Sequence, residues 1–324
     1  MIAVPVIDVA DLFKGGEPRL TVARAIGEAC ERIGFFCITG HGVDASLVED
    51  VRRVSRNFFR LPVEQKNLIA RRPPRFRGYV GMGTEGLGRI TGYGAADLKE
   101  AFSMGPVDVP ADPYFTGTEG MAHFETNRWP DEPDDFRAVM EQYYRTMTAL
   151  SARLMGGFAL ALDLPEDWFA AKIDRPISNV RVNYYPSQLG RSEPGKIRAG
   201  AHTDYGSVTI LMTEAASAGL EVRSLGDEWI QIPHRPGHFV VNIGDLMAQW
   251  TNDRFVSTMH RVGNPPDGDA TDRLSVAFFQ QPNYDALIDC IPTCVRSGEL
   301  PRYQPITSGA HRRLKLDFAN TATA

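Results

Sequence analysis

The sequence predicts a mixed α/β chain with an all-β core, a sandwich, barrel or jelly roll of short strands preceded by a helical region. Three observations carry that reading. Apolar residues recur at helical spacing through the first half, ending in one long helix. From about residue 177 the period changes to two, with glycine and proline turns between short runs. No internal repeat, low-complexity tract or polar linker divides the halves, so the two parts are expected to share one core.

Taken in order, residues 4–8 read as a short apolar strand, with Asp8 opening a turn. Val22, Ala25, Ile26, Ala29 and Ile33 form one stripe of a helix over 20–33. Residues 34–40 read as a buried strand closed at both ends by glycine. Asp44 is placed to cap a second helix with Leu47, Val51, Val54 and Phe58 on one face, and Leu61-Pro62 ends it. Residues 71–130 are rich in glycine, proline and aromatics with little periodicity, as expected of a substrate-covering loop. The Gly81 to Gly86 run fits G-x-G-x-x-G but opens no helix, which argues against a dinucleotide site. Phe136, Met140, Tyr143, Met147, Leu150, Leu154 and Phe158 mark a helix of roughly seven turns whose stripe reads as core packing. Pro165 stops it, and 166–172 reads as a short helical turn. Strands are then expected at 180–185, 206–212, 219–222, 229–232, 238–243, 257–262 and 274–279.

Composition narrows the function classes. The chain has 324 residues, 43% hydrophobic and 10% aromatic, enough for a large core. Its net charge of −5 is spread over interspersed charges of both signs, which gives no case for nucleic acid or an anionic membrane as partner. Four cysteines make no disulfide scaffold. Cys30 and Cys37 read as small core residues, and Cys290 and Cys294 lack the partners a zinc site needs. There is no basic, cleavable leader and no apolar run of about 18 residues. A cytoplasmic protein is expected, monomeric or a weak homodimer, acting on a small molecule.

The chemistry concentrates in His202-Thr203-Asp204, His260 and Arg273-Leu274-Ser275. Residues i and i+2 of a strand project to one face, so His202 and Asp204 can reach one ion, while His260 must come from another strand. Two imidazoles and a carboxylate on one face of Fe(II) leave the other positions open, the donor set of non-haem oxygenases. Arg273 offers a planar fork for a carboxylate such as that of a 2-oxo acid. Alone, an H-x-D pair reads as surface or core histidine, and a lone strand arginine as surface. The combination within β-type sequence is what carries the metal reading.

These residues resemble the iron and co-substrate motif of the 2-oxoglutarate/Fe(II)-dependent dioxygenases, in the subfamily that includes isopenicillin N synthase and plant flavonoid, gibberellin and ethylene-pathway enzymes. The segments 4–8, 34–43, 183–186, 237–245 and 303–307 are similar to further blocks of that subfamily, so the likeness runs over nearly the whole chain. The resemblance implies a double-stranded β-helix (jelly-roll) barrel with the N-terminal helical region and long helix packed outside. It implies a helical region at 1–175, a catalytic core at 176–290 and a C-terminal segment at 291–324, in one integrated domain. His202, Asp204 and His260 would bind iron as the catalytic centre. Arg273 and Ser275 would hold the distal carboxylate of 2-oxoglutarate, with Tyr185 and Asn183 completing that pocket. Fe(II), 2-oxoglutarate and O2 are the implied cofactor and co-substrates, and hydroxylation, desaturation or cyclisation of a small organic molecule the implied outcome, with release of succinate and CO2. Phe279 is expected to face substrate, sharing a strand face with Ser275 and Ala277. Arg75, Tyr79, Tyr93 and Phe102, in a 75–105 covering loop, are further candidates, as is the C-terminal tail as cover. Alternatives are an isopenicillin N synthase-like oxidase without 2-oxoglutarate, an ethylene-forming type, and a non-catalytic metal-binding β-barrel.

Overall fold

The largest of three sheets reaches back to collect strands from the first half of the chain. The structure is a computed structural model that describes residues 4–14, 16–72, 75–84, 97–187, 197–215, 219–224, 226–266 and 271–321. The strands of the two larger sheets are β1 (Val6–Asp8), β2 (Phe35–Thr39), β3 (Gly78–Val80), β4 (Glu100–Met104), β5 (Asn179–Tyr185), β6 (Ala199–His202), β7 (Val208–Thr213), β8 (Leu220–Arg223), β9 (Trp229–Gln231), β10 (Phe239–Ile243), β11 (His260–Val262) and β12 (Arg273–Gln280), and a short pair, Leu287–Ile288 with Ile306–Thr307, stands apart. The major sheet runs β1-β2-β10-β7-β12-β5-β4-β3 and the minor sheet β6-β11-β8-β9. Apart from the parallel β1–β2 pair, the pairings within these two sheets are antiparallel. The arrangement is the jelly-roll expected from the sequence, with helices laid on the major sheet.

Three helices form that outer layer: α1 (Glu17–Arg32), α2 (Ala45–Arg60) and α3 (Phe136–Ala161). The Asp44 side chain accepts from the Ser46 N–H at 2.8 Å and so caps α2. The apolar stripe of α3 is buried along its whole length and packs with Val182, Leu274, Val276 and Phe278 of the sheet. Each such side chain contributes on the order of 1.5–3 kcal/mol through burial. One apolar cluster therefore runs from Ile7 to Ile291.

Two expectations change. Residues 71–130 are not uniformly irregular, because β3 and β4 extend the major sheet through pairing with β5. Strands of three and five residues show too little of a period to be read, and their partner lies far along the chain. The 257–262 strand shortens to β11, and before it the Ser257 and Thr258 hydroxyls donate to Asp245 and to the Ile33 carbonyl. The chain closes on helix α4 (Ser308–Thr321). No described helix is long and apolar enough to cross a membrane.

Candidate metal centre and its cavity

His202 ends β6, His260 begins β11, and the two are direct register partners. Their rings lie 4.4 Å apart between centroids. Asp204 follows His202 by two residues, and its Oδ1 lies 3.9 Å from His202 Nε2 and 3.7 Å from His260 Nε2. All three ligand atoms fall within 4.8 Å of one another. That is the spacing of donors around one ion.

The second atoms of the three side chains are already engaged. His202 Nδ1 lies 2.7 Å from the Gly200 carbonyl and His260 Nδ1 lies 3.1 Å from that of Thr258. A carbonyl only accepts, so each Nδ1 carries the proton and each Nε2 keeps a lone pair for a metal. Asp204 Oδ2 accepts from Thr209 Oγ1 at 2.6 Å and Asn242 Nδ2 at 2.7 Å, which leaves Oδ1 for the ion. Thr209 and Asn242 are themselves register partners on β7 and β10, so the carboxylate is oriented by the major sheet. Gly34 has φ +67° and a Cβ there would stand 2.0 Å from the Val256 carbonyl. Glycine thus lets β2 approach the entry to β11, and the Phe35 and His260 rings meet edge to face with their centroids 5.4 Å apart.

The electrostatics suit a cation. Burial, with His260 alongside, pushes the His202 imidazole down to about 4, so it is neutral near pH 7. Burial opposes ionisation of Asp204, but the two imidazoles, Asn242 and Thr209 outweigh it and hold the carboxyl below its ordinary value. Two imidazole nitrogens and one carboxylate oxygen fit Fe(II).

Arg273 is buried, with 2% of its surface exposed. Its guanidinium carbon lies 5.0 Å from the centre of the Tyr185 ring, its register partner, and Nη1 donates to Ser275 Oγ at 3.3 Å. Among the described residues no carboxylate pairs with it. A buried cation in that state is stabilised by an anionic ligand. Ser275 pairs with Asn183 in register, and all four side chains line the cavity of about 90 Å³ that holds the triad.

The structure thus brings together His202, Asp204, His260, Arg273, Ser275, Tyr185, Asn183 and Phe279 around one cavity. Tyr79 and Phe102 do not reach it, which corrects their expected contact with substrate. Tyr79 pairs with Phe102 and Phe102 with Val182, so all three lie on the helix-side face. Phe102 is fully buried against Phe58 and Phe136, and Tyr79 donates its hydroxyl to Glu100 at 2.7 Å. Arg75 is exposed and lines a different cavity with Phe76, His123 and Arg312, a second correction. Tyr93 lies outside the described residues. Sequence reading missed Arg181 and Lys99 on the cavity wall, and Thr209 and Asn242 behind Asp204. Arg181 carries a signal, two residues before Asn183 in one alternating strand. Lys99 carries none, because the strand it precedes, β4, has no legible period.

The comparisons with known proteins agree with this geometry. The family profile described as non-haem dioxygenase in morphine synthesis N-terminal matches residues 4–132, and that of the 2OG-Fe(II) oxygenase superfamily matches 176–282. A homoarginine-6-hydroxylase of Oryza sativa subsp. japonica is 34% identical over 322 residues, covering 95% of this chain and 95% of that protein. A validamycin A dioxygenase of Streptomyces hygroscopicus subsp. limoneus is 35% identical, covering 86% of this chain and 76% of that protein. A full-length Neurospora crassa protein, solved in complex with alpha-KG and thymine, superimposes with a TM-score of 0.84 at 30% identity and covers 97% of each chain. This chain belongs to the 2-oxoglutarate/Fe(II) oxygenase superfamily, as a dioxygenase that uses Fe(II), 2-oxoglutarate and O2 to oxidise a small organic molecule.

Proposed function

We propose that His202, Asp204 and His260 hold the ferrous ion, and that Arg273, Ser275, Tyr185 and Asn183 hold the distal carboxylate of 2-oxoglutarate. The observation that carries this reading is the tying of both Nδ1 atoms and of Asp204 Oδ2, which leaves Nε2, Nε2 and Oδ1 directed at one point. Iron and the 2-oxo acid together supply the oxidising chemistry, with succinate and CO2 as co-products. The chain's own residues bind, orient and exclude. The Gly200 and Thr258 carbonyls fix the imidazole tautomers, Thr209 and Asn242 fix the carboxylate, and Phe35 keeps water from the flank of His260. Phe279 completes the wall that faces the substrate.

Hydroxylation is the outcome we favour, because the homoarginine-6-hydroxylase is a hydroxylase by name and aligns over nearly the whole chain. The chain works as one integrated domain, since residues of both halves build the major sheet and its core. We place the enzyme in the cytoplasm as a monomer or weak homodimer, and its interspersed charges and net charge of −5 give no case for nucleic acid or membrane partners. The test is oxygen uptake and succinate release by the Fe(II)-loaded protein with and without 2-oxoglutarate. Succinate formed in step with oxygen consumed supports the reading. Oxygen uptake that is independent of 2-oxoglutarate supports an isopenicillin N synthase-like oxidase in its place.

A further inference from the structure

The cavity wall carries a second guanidinium well away from the first. β5 turns alternate residues to the cavity, so Arg181, Asn183 and Tyr185 share that wall. Tyr185 pairs in register with Arg273, whereas Arg181 pairs with Ala277 on one side and Ser103 on the other. Four residues of strand span roughly 13 Å, which separates the two cationic rungs by more than one carboxylate can bridge. Lys99 also lines the cavity but precedes Glu100, the partner of Tyr184, and so belongs to the Tyr185 end, ion-paired with Asp97 at 2.8 Å. Arg181 is aimed by its own wall. Its Nε donates to Asn183 Oδ1 at 3.1 Å and its Nη1 to Ser103 Oγ at 3.5 Å, two contacts that hold the plane of the guanidinium against the strands. Phe279 pairs with Asn179 and is the diagonal neighbour of Arg181, so a cation and an aromatic ring stand together at this end.

We infer that the primary substrate carries a carboxylate, which Arg181 receives at the end of the cavity away from Arg273 while the carbon skeleton packs on Phe279. The inference rests on the iron and 2-oxoglutarate assignment above. The Arg273 end is committed to the co-substrate, and the backbone of Arg181 stands two rungs along from that of Arg273, on the far side of Asn183. A fork of N–H donors recognises a carboxylate through two parallel charge-assisted hydrogen bonds, which fixes orientation as well as position. With that end clamped, the ring of Phe279 limits where the skeleton can lie, and so which carbon is presented to the triad.

The test uses the anaerobic protein loaded with Fe(II) and saturating 2-oxoglutarate. Small aliphatic, aromatic and α-amino carboxylic acids, each matched with its primary amide, are screened by the paramagnetic broadening of their NMR signals. The expected result is acids bound at least about tenfold more tightly than their amides, as a charge-assisted contact implies. Arg181→Gln should bring that ratio within about twofold and Arg181→Lys should keep part of it, since the point charge survives without the fork. The ratio is taken within each variant, so a loss of folded protein does not imitate the effect. Amides binding as well as acids, no acid binding at all, or an unchanged preference in Arg181→Gln overturns the inference. If 2-oxoglutarate itself fails to bind with Fe(II), the earlier assignment falls and this inference with it; failure of the acids alone leaves that assignment standing.

Discussion

Strand β12 has two faces with different duties, drawn from alternate residues of one run. Leu274, Val276 and Phe278 are fully buried on the helix side, while Arg273, Ser275, Ala277 and Phe279 line the cavity. β5 repeats the division, with Val180 and Val182 on one face and Arg181, Asn183 and Tyr185 on the other. The first face is selected for volume and the second for charge and hydrogen bonding. A shift of one residue in register would exchange them, which is why the burial of the helix face also fixes the chemistry of the cavity face.

Substitutions on the two faces should therefore separate stability from chemistry. The largest effect is expected on the chemical side. Asp204→Ala removes the anionic donor, so turnover should vanish while the thermal midpoint stays near that of the parent protein. Wild-type oxygen uptake by an iron-bound variant would refute the assignment. On the other face, Phe102→Ala should cost about 3–5 kcal/mol of stability in urea unfolding, as deletion of a buried ring does. Its KM for 2-oxoglutarate should not move, and a raised KM would show that the faces are not independent.

Smaller effects sharpen the division. Arg273→Ala should raise the KM for 2-oxoglutarate in line with a loss of roughly 2–5 kcal/mol, and a shift below about threefold would contradict its role. Thr209→Val removes one of the two donors to Asp204 Oδ2. Iron affinity should fall by about tenfold or somewhat more, measured by competition with a chelator.

The smallest effect concerns pH and histidines outside the cavity. Burial, with Arg312 beside it, lowers His123 to about 4; burial, with Lys315 beside it, lowers His311 to about 4. Both are near 6.5 when unfolded, so between those values the unfolded chain binds protons that the folded protein refuses. Stability should fall as pH drops through that window, by at most about 1.4 kcal/mol per pH unit for each group. His123→Gln should flatten the slope of the urea midpoint against pH.

Much of this was legible in the sequence, and the gaps have physical causes. The long helix announced itself through an unbroken stripe from Phe136 to Phe158, and the Asp44 cap through its place before an amphipathic run. The triad was legible because His202-Thr203-Asp204, a distant His260 and Arg273-Leu274-Ser275 occur together within β-type sequence and resemble the family's motif. Phe279 could be placed from Ser275 by counting in twos. Tyr79 and Phe102 could not be placed, since their face follows from pairing with β5, and no local pattern records a partner so distant. Thr209 and Asn242 look like ordinary strand residues until the fold sets both beside Asp204. The closing helix α4 has a weaker apolar stripe than the helices before it, and was expected only as a tail.

The most direct test of the central claim is anaerobic titration of the metal-free protein with Fe(II), followed by 2-oxoglutarate, monitored by visible absorption. The account predicts one iron per chain and a charge-transfer band that forms only when both are present, lost in His260→Ala and shifted to higher 2-oxoglutarate in Arg273→Ala. A band of full intensity and unchanged midpoint in both variants would contradict it.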